Sequence, residues 1–354
     1  MIDEVVRFEE LLTTDLEIDD LEAVEIIIAA AVTHKVKWSE MLWLRIIGAS
    51  GSGKTELLRT LSYEPYSVTM ETITAGAIRR GFVVKKNGKK KPEKTLMQRL
   101  DGKLVITKEF GSMLTKNTDA QNEIFGLLRG VYDGETDADY GSEEGHLHQV
   151  SHFDWILGTT SFIDNNRSIE YNLGSRFIDL RWESPDNKYS ALNKAQDNND
   201  KLNIIRARLG RAMANVIDMV EETPKVKLEY IAPLATIAAS LRSPVKRDRY
   251  SGGIDDIPDI ELGTRMAQSL NRIARGLIMI GVDEADIKPY MFRLVMSSML
   301  KIRAKIVQCW IDGIMKQVEI AEKTKLPQGS ISRIIEDITI VGWQDSWLNE
   351  LRGC

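Results

Sequence analysis

Between Met41 and Trp182 short apolar runs alternate with stretches of helical periodicity. Met41-Leu42-Trp43-Leu44-Arg45-Ile46-Ile47 reads as a buried strand over 42–47, and Glu56-Leu57-Leu58-Arg59-Thr60-Leu61 as part of a helix over 54–62. The same reading predicts strands near Ser67-Val68-Thr69 and over 103–107, 153–160 and 177–182, with a helix over 118–132. This order implies an α/β core, a parallel sheet with crossover helices. Before it, Val6, Phe8, Leu11, Leu12 and then Leu21, Val24, Ile27 and Ile28 predict two amphipathic helices forming a lid or platform. Residues 186–203, rich in Asn, Asp and Lys, read as a solvated linker, after which helical periodicity continues to Cys309. The expected division is an N-terminal helical segment (1–40), an α/β nucleotide-binding core (41–185), a helical lid (186–309) and a small C-terminal unit (310–354).

Composition changes this picture little. Lys and Arg number 47 against 52 Asp and Glu, a formal charge of −5, so nucleic-acid contact requires local basic patches. Cys309 and Cys354 are far apart, which argues against a disulfide framework or a zinc site. The acidic start Met1-Ile2-Asp3-Glu4 and the shortness of the apolar run from Ile26 to Val32 lead us to expect a cytoplasmic protein with no membrane partner.

The candidate chemistry lies between the first strand and its helix. Gly48-Ala49-Ser50-Gly51-Ser52-Gly53-Lys54-Thr55 is a complete Walker A sequence. Its glycines let successive backbone N–H groups point at a β-phosphate, and the following helix, from Glu56, offers a positive N-terminus. Lys54 reaches the outer phosphate oxygens and Thr55 offers a hydroxyl to Mg²⁺. A second strand, Leu104-Val105-Ile106-Thr107, ends in Lys108-Glu109. Glu109 is the candidate to orient an attacking water and to help hold the metal. Lys108 stands where such motifs usually carry Asp, leaving Thr55 and water to supply more of the metal shell. The strand Phe153–Ser161 ends in Thr160 and Ser161, candidate γ-phosphate sensors or plain turn residues. Arg176, in Leu173-Gly174-Ser175-Arg176-Phe177, carries the side chain best suited to spread phosphoryl charge.

Taken in order, the Walker A sequence, Glu109, the polar strand end, Gly174-Ser175-Arg176-Phe177 and Gly263-Thr264-Arg265-Met266-Ala267-Gln268-Ser269-Leu270-Asn271-Arg272 resemble an AAA+ P-loop ATPase of the minichromosome-maintenance type, over roughly residues 40–300. The chain is also similar to the short ATPases of phages and mobile elements. The resemblance implies ATP and Mg²⁺ as cofactors. It implies Arg176 as an arginine finger reaching a neighbouring subunit's ATP, and Arg265 as the lid's second sensor. A hexameric ring is the family's expected assembly, its interfaces heterologous because one face gives ATP and the other arginine.

Three further segments bear on partners. Arg79, Arg80, Lys85, Lys86, Lys89, Lys90 and Lys91 flank Asn87-Gly88 and predict a basic hairpin, a DNA-phosphate contact or a solvated loop. Leu241-Arg242-Ser243-Pro244-Val245-Lys246-Arg247-Asp248-Arg249 reads as a linker, or as a contact to DNA or a neighbour's ATP. A hairpin before the sensor strand has an acidic tip, Gly141-Ser142-Glu143-Glu144-Gly145, which argues against a DNA-gripping pore loop; His146 and His148 on one of its strands lack further ligands for a metal. Residues 318–338 predict a helix-turn-helix winged by Thr339-Ile340-Val341-Gly342-Trp343, with Gln328, Ser330, Ser332 and Arg333 toward a major groove, or else a protein-contact module. The overall expectation is an oligomeric ATP-hydrolysing motor on DNA, a replicative helicase or helicase-like initiator working with replication partner proteins. The alternative is a nucleotide-dependent switch or remodeller that does not unwind.

Overall fold

Five strands, each led by the apolar runs just described, build one parallel sheet. In the computed structural model, residues 2–352 are described except 37, 39, 63–66, 80–82, 87–88, 93–94, 140–145, 167–175, 221–223, 249 and 258. Helices α1 (Asp3–Leu16) and α2 (Leu21–Thr33) precede β1 (Trp43–Ile47) and α3 (Lys54–Leu61). There follow β2 (Ser67–Thr69), α4 (Ala75–Arg79), a hairpin β3 (Val83–Lys86) and β4 (Lys89–Pro92), α5 (Leu96–Leu100), β5 (Leu104–Thr107), α6 (Gly111–Leu114) and α7 (Thr118–Tyr132). A second hairpin, β6 (Glu135–Asp139) and β7 (His146–Val150), leads to β8 (Asp154–Thr159) and β9 (Ile178–Arg181). The sheet order is β2-β5-β8-β1-β9, every pair parallel. All five residues of β1 and all six of β8 are buried, as expected for a parallel sheet covered on both faces.

Strand alternation splits the core in two. Leu44, Ile46, Ile106, Ile156 and Leu180 face α1–α3 and the C-terminal helices. Trp43, Ile47, Val105, Trp155 and Leu157 face α4–α7. There Trp43 meets Tyr132, Phe177 and Trp155 at 5.0, 5.1 and 5.2 Å between ring centroids. The expected basic hairpin is present in β3 and β4, paired Val83↔Pro92 to Lys86↔Lys89. Its Arg80 and Asn87-Gly88 turn lie outside the described residues, as do the acidic tip Gly141–Gly145 and the Gly174-Ser175 turn before Arg176.

Beyond β9 the chain is helical apart from a small hairpin. The elements are α8 (Lys188–Asp197), α9 (Leu202–Met219), α10 (Ile231–Arg242), β10 (Lys246–Arg247), β11 (Ile254–Asp256), α11 (Thr264–Met279), α12 (Ile287–Ser298), α13 (Lys301–Ile311), α14 (Gln317–Thr324), α15 (Gln328–Ile340) and α16 (Ser346–Arg352). Among the described residues no helix is long and apolar enough to cross a membrane.

Three expectations are corrected. The linker at 186–203 contains an ordered helix, α8. Asn187 caps it by accepting from Ser190 N at 3.0 Å, and Lys194 and Asn198 donate to the carbonyls of Thr14 and Asp15 at the end of α1. Polar composition here marks a thin surface helix held by hydrogen bonds. Helix α2 is not amphipathic: Ala23 through Thr33 are buried all round. It runs between the sheet and α11, so closely that a Cβ on Gly276 would stand 2.3 Å from the carbonyl oxygen of Ala29. Finally, the wing is replaced by helix. Thr339 and Ile340 complete α15, and Trp343 packs between Trp310 and Trp347 at 4.8 and 5.6 Å, after which α16 closes the chain. The preceding helix-turn-helix forms, its turn made by Lys325 at φ 57° followed by Pro327.

One buried carboxyl pair gives the fold a pH dependence. Glu9 on α1 and Glu25 on α2 are both buried, and the Tyr290 hydroxyl donates to Glu25. Burial, then the neighbouring Glu25, pushes Glu9 up to about 8. Because the folded value lies above the unfolded one, the folded state loses stability as pH rises from about 4.5 to about 8. Glu9→Gln needs no proton there. Its melting temperature is expected to exceed the wild-type value at pH 8–9 and to converge with it toward about pH 5. Equal differences at both pH values in thermal scans would contradict this.

Candidate active site

The sheet presents the carboxyl ends of its strands to one side, and there the chain leaves β1 for the distant β2 while β9 lies on β1's other flank. Such a switch point opens a crevice. Loop 48–53 fills it. Gly48 N donates to Thr159 O at 3.2 Å and Trp182 Nε1 to Ser52 O at 2.8 Å, pinning the loop to the ends of β8 and β9. Gly51 and Gly53 take φ of 75° and 88°, the left-handed region open to glycine. Close approach also requires Gly48, whose Cβ would lie 3.0 Å from Trp182 Cβ and from the Trp182 carbonyl oxygen.

Lys54 opens α3 with its side chain buried over the loop. Its Nζ donates to Gly48 O at 3.0 Å, Ala49 O at 2.5 Å and Ser52 Oγ at 3.2 Å. Burial lowers its pKa and the Glu109 carboxylate opposes this, which places the two charges within electrostatic reach. Ser50, Gly51 and Thr55 are exposed, Ser52 is buried and Gly53 half-buried. Glu56 is engaged elsewhere: Arg206 of α9 grips both its oxygens at 2.7 Å, tying α3 to the helical region.

At the end of β5, exposed Glu109 accepts from Gly111 N at 2.9 Å. Lys108 turns away and pairs with Glu71 at 2.6 Å. The Lys108 ammonium noted in the sequence is thus engaged by Glu71. The gap between β5 and β8 is closed by Gly158, where a Cβ would meet Lys108 O at 2.8 Å and Leu58 Cδ1 at 2.9 Å. Thr160 is half-buried and Ser161 exposed at the start of a short 3₁₀ turn. Thr159, fully buried, carries a hydroxyl with no partner among the described residues.

Beside the loop is a cavity of about 300 Å³ lined by Gly51–Glu56 on one side and by Leu16, Ile18, Pro185, Ala191, Ala195, Asn198 and Leu202 on the other. The second wall escaped the sequence reading, since isolated apolar residues from α1, α8 and the start of α9 carry no motif. Ile18 Cγ1 sits 3.0 Å from where a Gly53 Cβ would be. A larger groove, about 730 Å³, lies between α1 and α9.

Arg176 and Arg265 occupy the opposite edge. β9 pairs Ile178 with Leu44, so Arg176 precedes the sheet, near the level of Leu42. Loop 48–53 begins at Gly48, roughly 20 Å further along at about 3.3 Å per residue. Arg176 is buried over the Tyr132 ring at 5.6 Å and meets Asp133 at 3.3 Å, while Tyr132 Oη donates to Met41 O just ahead of β1. Burial, then Arg265, lowers the Arg176 pKa, so the two cations share this edge. Arg265 pairs with Glu261 at 3.4 Å, and Arg242 binds the same carboxylate. The structure therefore brings Lys54 within electrostatic reach of Glu109, and Arg176 of Arg265, at opposite ends of the sheet.

The last arginine of the lid motif is structural. Arg272 donates to Asp154, Thr33 Oγ1 and Glu40 O, and His34 Nδ1 lies 2.9 Å from the same Asp154. Arg247 of the second basic segment binds Asp337 and Glu336, both at 2.7 Å, so it clamps β10 to α15. Of the expected groove-facing residues on α15, Gln328, Ser332 and Arg333 are exposed and Ser330 half-buried, and the Arg333 guanidinium lies against Gly252. His148 pairs with Asp137 across the second hairpin at 2.8 Å. Among the described residues no group of three or more His, Cys, Asp or Glu is placed to hold a metal. Neither a scan against protein-family models nor a search of curated proteins returned a match for this chain.

Proposed function

We propose that this chain is an ATP-hydrolysing AAA+ protein of the minichromosome-maintenance type that works as an oligomer, with each active site shared between two copies. The observation that carries the reading is the separation of the two charged groups: Arg176 is buried at the edge of the sheet opposite the loop holding Lys54. An arginine there serves phosphate chemistry only at another subunit's loop.

The residues present fit a triphosphate. Left-handed Gly51 and Gly53 turn the backbone N–H groups inward, Lys54 exchanges its loop acceptors for phosphate oxygens, and the cavity walled by Leu16, Ile18, Ala191 and Leu202 suits an apolar base. Mg²⁺, when bound, neutralises developing phosphate charge. Thr55 would be its protein ligand, with Glu109, which acts electrostatically on Lys54, the carboxylate to contribute through water. Glu109 orients the attacking water, and the neighbour's Arg176 and Arg265 stabilise the transferring group.

The antiparallel β3–β4 hairpin, with lysines at 85, 86 and 89–91, supports a DNA backbone as the partner and a motor role on DNA, including helicase action. Lys108 favours the second reading, a nucleotide-dependent switch: its pairing with Glu71 leaves the metal without the usual carboxylate. Hydrolysis by the full chain, measured with and without single- and double-stranded DNA alongside a strand-separation assay, tests both. Lys54→Ala is expected to abolish hydrolysis. DNA stimulation with unwinding supports the motor and stimulation without unwinding the switch. Wild-type hydrolysis that persists in Lys54→Ala would overturn the site itself.

A further inference from the structure

Two surfaces remain that the nucleotide site does not use, and they are opposite in charge. The first is the chain between β10–β11 and α11. Ile254, Ile257, Ile260 and Leu262 are all exposed, Leu262 by 87%, and Asp255, Asp256 and Asp259 are interspersed among them. Asp255 pairs with Lys246 on the same hairpin, whereas Asp256 makes no ion pair among the described residues. Large apolar side chains concentrated on one exposed segment mark a contact surface. The second is the groove of about 730 Å³ between α1 and α9. Leu11, Ala207, Ala212 and the exposed Ile204 give it an apolar floor, and Arg7, Arg208 and Arg211 line it against a single acidic group, Glu4. Arg208 is paired with Asp15, while Arg7 and Arg211 are exposed.

We propose that the acidic, aliphatic segment 254–262 of one copy docks in the basic groove between α1 and α9 of the next, forming the head-to-tail contact of the oligomer. The inference rests on the shared-site reading above and adds the surface that positions it. The segment runs directly into α11, whose first turn carries Arg265. Its end is fixed at Gly263, where a Cβ would stand 2.9 Å from Ala235 O. The groove's helix α9 begins at Leu202 in the nucleotide cavity and holds the phosphate-loop helix through Arg206 and Glu56. Docking the one in the other would bring a copy's Arg265 toward the neighbour's α9, the helix that holds the neighbour's α3 through Arg206 and Glu56. A heterologous contact of this kind repeats around a ring or along a filament.

Sedimentation velocity on the full chain with ATP and Mg²⁺ tests the contact through a charge exchange. Arg211→Glu and Asp256→Lys are each expected to weaken association about tenfold or more, and their combination to restore it, because opposite charges again face one another. The pair Ala207→Cys and Ile257→Cys should form a disulfide between copies under oxidation and none within a copy. Unchanged mass in both single variants, or dissociation without rescue in the double variant, would overturn the proposal. Loss of DNA binding by Arg211→Glu at unchanged mass would overturn it too, assigning the groove to a nucleic-acid backbone. Failure of the docking surface is distinguishable from failure of the shared site, since mixing Lys54→Ala with Arg176→Ala reports on the latter alone.

Discussion

Replacing Arg176 by Ala is expected to lower ATP hydrolysis about 10³-fold, the lower end of what an arginine supplied to a phosphoryl-transfer site contributes. The argument is geometric. Arg176 stands ahead of β9, which pairs Ile178 with Leu44, while Lys54 follows β1 at the sheet's other end. No side-chain rotation spans that interval. The loss therefore has to be cured from outside the subunit. Mixing the Arg176→Ala chain with the equally inactive Lys54→Ala chain leaves about one interface in four with both groups intact, by random assortment in a heterologous assembly. Hydrolysis is expected to recover toward that fraction as subunits exchange. Because Arg176 is buried against Tyr132 and Asp133, its removal also perturbs packing, so melting temperature is measured in parallel. An Arg176→Lys variant preserves the charge at Asp133 but lacks the planar fork and should remain strongly impaired. Full activity in Arg176→Ala, or no recovery on mixing under proven exchange, would sink the shared site.

The second large effect concerns stability. Asp154→Ala is expected to destabilise the fold by about 3–5 kcal/mol, the range for breaking a buried ion pair from one side. Asp154 is buried at the start of β8 and accepts from Leu42 N at 2.7 Å, from Arg272 of α11 and from His34 after α2, so one carboxylate ties the sheet to two helices distant in sequence. Removing it strands the Arg272 guanidinium, itself buried and stacked on Trp38 at 5.2 Å. Although burial alone would raise the Asp154 pKa, Arg272 and His34 outweigh it and hold the group down at about 2, below its ordinary 3.8. A folded value below the unfolded one means the stabilisation is complete above about pH 4 and is lost as pH falls toward 2. Chemical denaturation should show a shallower acid slope in Asp154→Asn than in the wild type across that window. A change below about 1 kcal/mol in Asp154→Ala would show that the cluster relaxes around the loss.

Periodicity located the sheet closely because its strands are buried on both faces. The runs expected at 42–47, 103–107 and 153–160 are found at Trp43–Ile47, Leu104–Thr107 and Asp154–Thr159. It failed where polarity was mistaken for absence of structure, as in α8, and where the residues after the second helix of the C-terminal unit were read as a wing, as at Thr339-Ile340. The latter residues continue α15 because Trp310, Trp343 and Trp347 offer the C-terminus a packed apolar seat. Helix α2 was read with too much water on it, since an Ile- and Ala-rich helix with two glutamates looks amphipathic until Glu25 is seen buried against Glu9.

By itself the sequence determined the local chemistry: glycines where the loop needs positive φ, Lys54 and Thr55 at the head of a helix, Glu109 at a strand end, and arginines at 176 and 265. These are legible because each depends on neighbours within a few residues. Only the tertiary structure decided which of them meet. The sheet order puts one strand, β8, between β1, which leads to loop 48–53, and β5, which leads to Glu109. Strand direction sends Arg176 to the far edge, and the packing of α1, α8 and α9 walls a cavity from residues that no local pattern marks. Such contacts join segments separated by tens of residues or more, and their energies come from burial and desolvated charge, which exist only once the chain has closed on itself.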